Sequence, residues 1–214
     1  MDKNSIQQAL NEIKQQPKRK FLQSYDLIIN LTNIQTKQTP LDFFVTMHHP
    51  KGRVVRVAAL VDQELAEQAK KSCDLVIRET EFAAYADKHK LKKLAIQYDY
   101  FIAQANLMPK IAATFGKALG TKGKMPNPKL GCVVPPSADL QPLVKKLHST
   151  VRFVARKATN LQCIIGKEDQ SEEQIVDNVL TVYQAVLKQL PSDTNNIKNV
   201  SIKLSMGKPV RIVH

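Results

Sequence analysis

The chain has 214 residues, with 32 Lys and Arg against 19 Asp and Glu, a formal net charge of +13. At 43% hydrophobic and 24% charged it has the composition of folded globular domains, which excludes wholesale disorder, and without an apolar run of about eighteen residues it has no membrane-spanning helix. The cationic excess is too large for ordinary surface charge and points to a polyanionic partner.

Along the chain, Ile6, Ala9, Leu10 and Ile13 fall at i, i+3, i+4 and i+7, so the spacing predicts an amphipathic helix over 2–16, ended by Pro17. The short β-branched or aromatic runs 26–31, 43–47 and 54–60, divided by Thr39-Pro40 and Pro50-Lys51-Gly52, predict three strands. Asp62 is placed to cap a helix over 63–71. Strand-like runs at 73–77 and 99–103 then alternate with helix-like stretches at 79–86, 90–97, 107–119 and 138–147, the order of a parallel α/β layer. The β-rich style returns with 151–155 and 161–166. A helix with Ser171 and Gln174 as capping box follows, its apolar face made by Ile175, Val179, Val182, Tyr183, Val186, Leu187 and Leu190, and strands at 201–205 and 209–213 close the chain. A middle of one style inside ends of another predicts a discontinuous α+β domain, 1–61 and 151–214, with an inserted α/β domain, 62–150, joined near Val61 and Thr150.

The charge is segregated. From Tyr100 to Lys167 eleven bases (Lys110, Lys117, Lys122, Lys124, Lys129, Lys145, Lys146, Arg152, Arg156, Lys157 and Lys167) face a single acid, Asp139, which leaves +3 for the rest of the chain. Such crowding repels itself unless a phosphate backbone or a similar counter-charge is present, and nucleic acid fits best. With 6% aromatic residues and no Trp, the chain is poor in stacking surfaces for single strands and better suited to folded RNA or a duplex backbone. Cys73, Cys132 and Cys163 are odd in number and too far apart for paired metal-ligand motifs, and MDKNSIQQAL lacks the apolar core of a secretion signal. Reduced thiols, a cytoplasmic location, no membrane insertion and no metal are expected, while surface attraction to anionic lipid stays open. His48, His49, His89, His148 and His214 lack ligand spacing and are expected to be structural or exposed.

Gly116, Gly120, Gly123 and Gly131 fall close together with Lys117, Lys122, Lys124, Lys129, Pro126 and Pro128. This composition predicts a shaped loop whose ammonium groups meet phosphate oxygens. A nucleotide site is disfavoured, because Thr121 stands where a phosphate-binding loop of the form G-x-x-x-x-G-K-[ST] would need its second glycine. An α/β enzyme acting on a phosphorylated substrate at this loop is the alternative class, but no carboxylate pair, His cluster or activated nucleophile accompanies the loop.

LGTKGKMPNPKLGCVVPP (119–136) resembles the signature loop of the large-subunit ribosomal protein L-one family, and SIKLSMGKPVRI (201–212) resembles its C-terminal Ser/Thr-Met-Gly strand pair. KFLQSYDLIINL (20–31) and IIGKEDQSEEQIVDN (164–178) match in place and order, and Met-Pro-Asn-Pro-Lys with a short C-terminus resembles the archaeal type. The resemblance implies a two-domain fold whose inserted domain is Rossmann-like. It also implies a structural, non-catalytic component of the large ribosomal subunit, without cofactor and monomeric off the ribosome. Such a component binds large-subunit rRNA at the mobile stalk, beside tRNA in the exit site, and represses its own mRNA through a mimic of the rRNA site. Carried over by motif, the RNA contacts are Phe21, Ser24, Asp26, Asn30, Gly166, Lys167, Ser205, Met206 and Gly207, with Lys117, Lys122, Lys124 and Lys129 as secondary phosphate contacts. The chain departs from the family at Gln23, where many members have Glu, and at Lys208, where bacterial members often have Pro. Purely structural readings stand beside these roles: core packing for Phe21, a plain turn for Met206-Gly207, a strand end for Gly166.

Overall fold

The computed structural model describes residues 2–34, 40–85, 87–155, 158–191 and 193–212. Thr39, Ala86, Arg156, Lys157, Val213 and His214, which enter the sequence reading, lie outside the described residues. In chain order the elements are α1 (Lys3–Lys14), β1 (Ser24–Leu31), β2 (Leu41–Thr46), β3 (Val57–Val61), α2 (Gln63–Ser72), β4 (Leu75–Arg78), a 3-10 helix (Glu79–Tyr85), α3 (Lys88–Gln97) and β5 (Tyr100–Gln104). They continue with α4 (Met108–Thr121), β6 (Val133–Val134), α5 (Gln141–Ser149), β7 (Thr150–Ala155), β8 (Asn160–Lys167), α6 (Glu172–Leu187), β9 (Ile197–Leu204) and β10 (Val210–Ile212). The chain divides into two compact units, Met1–Arg53 with Ser149–His214, and Val54–His148.

In the first unit, a four-stranded antiparallel sheet runs in the order β10-β9-β1-β8, and α1 and α6 pack on one face of it. The cause is the period-two pattern of β1: Tyr25, Leu27, Ile29 and Leu31 are buried, while Ser24, Asp26, Ile28 and Asn30 point to the other face. Ile6, Ala9, Leu10 and Ile13 of α1 enter the same core, as their spacing predicts, and Lys14 ion-pairs with Glu172 of α6. The antiparallel pair β2–β7 adds Val45 and Phe153, with Phe43 stacked on Phe153 at 5.4 Å between centroids. The expected caps form: Asp62 accepts from Gln63 N at 2.7 Å, and Ser171 Oγ accepts from Gln174 N at 3.4 Å.

The second unit is a parallel sheet in the order β4-β3-β5-β6. Here the sequence boundary after Val61 is corrected: β3 pairs in parallel with β4 and β5, so it belongs to this unit. Val57–Val61 is buried along its whole length, as a strand covered on both faces must be. Two other strands start later than expected because their leading acids turn aside. Asp74 accepts from Val57 N at 2.8 Å and Asp99 from Arg56 N at 3.3 Å, so β4 begins at Leu75 and β5 at Tyr100. The helix expected over 79–86 is a 3-10 helix through Tyr85. Phe82 is buried and Tyr85, three residues on, packs against the same core, the repeat of a 3-10 turn. The helix expected from Ala138 begins at Gln141, whose N–H is capped by Asp139 Oδ1 at 3.0 Å.

Asn178 sits fully buried on the inner face of α6 among apolar residues and was not singled out by the helical pattern. Its Nδ2 donates to Ile165 O at 2.8 Å and to His49 O at 3.3 Å, and its Oδ1 accepts from His49 N at 3.1 Å. Asn178→Leu fills the same volume but strands one buried and two half-buried backbone groups. It is expected to cost about 2 to 4 kcal/mol, seen as a lower urea midpoint with an unchanged slope.

Candidate nucleic-acid interface

Because β1 runs antiparallel to both neighbours, its start lies beside the ends of β8 and β9. Ser24 pairs with Lys167, Tyr25 with Gly166 and with Leu204, so three stretches far apart in sequence, 20–24, 166–168 and 205–208, meet at one end of the sheet. Ser24 and Ser205 are locked together: Ser205 N donates to Ser24 O at 3.1 Å, and Ser24 N donates to Ser205 Oγ at 3.3 Å. Phe21, Leu22 and Met206 are exposed here, Phe21 by 54% and Met206 by 63%. The core-packing reading of Phe21 is thereby excluded; an aromatic ring and a thioether stand in solvent at this end of the sheet.

Gln23 organises this end and is 2% exposed. Its Oε1 accepts from Met206 N at 3.1 Å, its backbone N donates to Glu168 Oε2 at 2.9 Å, and its carbonyl accepts from Glu168 N at 3.1 Å. Its Nε2 reaches Glu168 Oε1 at 3.5 Å. An amide suits the place, since it accepts from one neighbour and donates to the other. From the end of α1, Gln16 grips the next residue pair: its Oε1 accepts from Lys208 N at 2.9 Å and its Nε2 donates to Lys208 O at 3.1 Å, much as a neighbouring strand would. Sequence reasoning marks Gln23 only as a departure from a family pattern and misses Gln16 and Glu168, because hydrogen bonds across such separations leave no spacing signal.

Two candidate contacts also have structural duties. A Cβ on Gly166 would lie 2.2 Å from Ile175 Cδ1 and 2.3 Å from Gln170 Oε1, so this glycine lets β8 close onto α6 and faces the core. A Cβ on Gly207 would lie 2.6 Å from Gln16 Oε1 and 3.2 Å from Leu204 Cβ, so the turn needs its smallness for the Gln16 grip. Asp26 and Asn30 lie farther along β1, on the sheet face turned away from the helices. Asn30 Nδ2 donates to Asn199 Oδ1 at 2.6 Å, and Asp26 sits across from Lys203. Partial burial holds the Asp26 carboxyl above its usual range, and Lys203 opposes the shift.

The glycine-lysine stretch is less of a loop than its composition suggests. Gly116 and Gly120 are inside α4 and Lys122 is its C-cap. Lys122 therefore sits at the carbonyl end of a helix, where a cation suits the dipole, whereas a nucleotide phosphate needs the N–H end; Lys117 lies within α4 and Lys129 in a short 3-10 helix, Pro128–Leu130. Positive φ occurs at Gly123 (66°) and Gly131 (78°), and Lys124 Nζ already donates to Tyr98 O at 2.7 Å. Cys132, next to the stretch, is buried, and burial pushes its thiol up to about 11, the wrong direction for a nucleophile. His48 and His49 meet Asp177 at 2.8 and 3.5 Å, far in sequence from this stretch. No helix among the described residues is long and apolar enough to cross a membrane.

The family model described as the ribosomal protein L1p/L10e family matches residues 13–208. The chain belongs to that family. It is similar to the large ribosomal subunit protein uL1 of Methanocaldococcus jannaschii, 36% identical with 99% of this chain and 96% of that one covered. The protein of the same name from Nanoarchaeum equitans is 36% identical, covering 92% and 93%, and that from Archaeoglobus fulgidus 33%, covering 100% and 99%. The L1p/L10e family is a structural, non-enzymatic one, which ends the α/β-enzyme alternative.

Two outcomes follow from this geometry. The folded state binds the Asp26 proton more tightly than the unfolded chain, so the contribution of Asp26 to stability falls as pH rises through the carboxylate range. Asp26→Asn removes that fall: urea unfolding should find variant and wild type alike at acid pH, where Asp26 is protonated in both states, and the variant more stable at neutral pH. Gly207→Val should lower stability by about 1 to 3 kcal/mol through the displaced Gln16, measurable without any RNA.

Proposed function

We propose that this chain is a cytoplasmic component of the large ribosomal subunit that binds a folded segment of large-subunit rRNA at the mobile stalk near exit-site tRNA, with the end of the sheet built by 20–24, 166–168 and 205–208 as its specific site. The observation that carries the reading is the convergence there of exposed Phe21 and Met206 and the half-buried Lys167 on backbone fixed by Gln23, Glu168 and Gln16. Rigid backbone with a free aromatic face and small hydroxyls, Ser24 and Ser205, suits splayed bases and ribose 2′-hydroxyls, while Lys167 supplies phosphate attraction. Asp26 and Asn30 extend the site along β1. Gly166 and Gly207 act in it by allowing close backbone approach. Lys117, Lys122 and Lys129 add weaker phosphate contacts, and Lys124 does so with an ammonium already partly engaged.

The same site serves repression of the chain's own mRNA when that message folds into the rRNA shape, and off the ribosome the protein is a monomer. The relatives named above are large-subunit proteins, and the family they share supports the ribosomal reading.

Met206→Ala and Phe21→Ala remove side chains that stand in solvent, so they leave the fold intact and test binding alone. Each is expected to weaken binding to the cognate rRNA fragment by about 1 to 2 kcal/mol while binding to an unrelated hairpin stays the same. Titration of both RNAs decides; equal losses on the two would remove specificity from this end of the sheet. A two-segment protein, residues 1–53 joined to 149–214 by a Gly/Ser linker, should fold and keep the discrimination.

A further inference from the structure

In α3, Lys88, Lys90, Lys92 and Lys93 occupy the first two turns, and the helix contains no acid. All four are exposed, and among the described residues none has an ion-pair or hydrogen-bond partner. The acids in reach are otherwise engaged or few. Asp87 caps the helix through His89 N at 2.9 Å, Glu79 of the adjacent 3-10 helix pairs with Lys110, and Glu81 is exposed.

Helix physics argues against this placement. Cations in the first turn face the positive end of the dipole, and Lys88 with Lys92, His89 with Lys93 and Lys90 with Lys93 are like-charged or charge-prone pairs at contact spacing. A helix selected for stability alone would carry acids there. We propose that the exposed face of α3 is a second RNA-binding surface, independent of sequence, that takes the phosphate backbone of a double-helical RNA.

Charge density supports a duplex. At about 1.5 Å of rise per residue the four lysines fall within roughly 7.5 Å of helix axis, a mean interval of about 2.5 Å, a dense cationic run that suits the closely spaced phosphates of a duplex. A single strand would want aromatic partners, and the exposed face of α3 has none. An anionic lipid surface would want the apolar side of the helix turned outward, but Leu91, Leu94 and Ala95 are buried in the unit's own core and only Ile96 is exposed. Lysines without a fork of donors hold phosphate as point charges and read no bases, so this surface adds affinity and no specificity. The inference rests on the proposed RNA-binding role but concerns a different surface.

The test is the full-length quadruple variant Lys88→Gln, Lys90→Gln, Lys92→Gln, Lys93→Gln. Gln matches Lys in helix propensity and removes the repulsion, so the variant should unfold at the same temperature as the wild type or a higher one at low salt. Against a plain RNA duplex of unrelated sequence, its affinity at low salt should fall about tenfold or more. The log–log salt slope should become shallower by about 2 to 3. The ratio of affinities for the cognate rRNA fragment and an unrelated hairpin should not change. Unchanged duplex affinity and slope would overturn the proposal, as would an equal loss on single-stranded RNA or on phosphatidylserine vesicles. A wild type that cannot discriminate the cognate rRNA, with the duplex effect present, would instead sink the proposed function and leave the α3 surface standing.

Discussion

A single buried amide, Gln23, holds together the three chain segments on which the candidate interface depends. Antiparallel pairing brings the start of β1 to the ends of β8 and β9, but strand ends fray unless their last backbone groups are satisfied. Gln23 satisfies them in both directions, through Glu168 on one side and Met206 N on the other. With Gln16 holding Lys208 from α1, the turn that carries Met206 is fixed before any ligand arrives. Preorganisation of this kind lowers the ordering cost of binding, so a small set of exposed groups suffices for recognition.

The two glycines of the interface belong to the same construction. Gly166 lets β8 approach Ile175 of α6, and Gly207 lets the turn pass under Gln16. In both, the space a Cβ would take is filled by protein, whereas Phe21 and Met206 have their side chains in solvent. Phe21 and Met206 are costly to expose in water, and the fold spends nothing to cover them although the core lies close by.

The cationic charge is divided in kind between the units. At the sheet end of the first unit, lysine accompanies hydroxyls, an aromatic ring and rigid backbone. In the second unit, Lys122 at the carbonyl end of α4 agrees with the helix dipole, whereas the lysines at the start of α3 oppose it.

Periodicity made the helices and most strands legible from the sequence, because apolar spacing reports which face of an element is buried without reference to its neighbours. Ile6, Ala9, Leu10 and Ile13, the alternation in β1 and the caps at Asp62 and Ser171 are all local signals of that sort. The membership of β3 was not legible, since a short apolar run fits either sheet and only pairing with β4 and β5 assigns it. Nor was Asn178, a polar residue in an apolar stripe whose partners are His49 and Ile165. Of the candidate site, the family motifs located the segments, while the division of labour within them came from tertiary structure: exposure for Phe21 and Met206, close packing for Gly166 and Gly207, and buried hydrogen bonds for Gln16, Gln23 and Glu168. Local pattern determines what a residue can do within its own element, but its partner across 145 to 192 positions of chain exists only once the strands have paired.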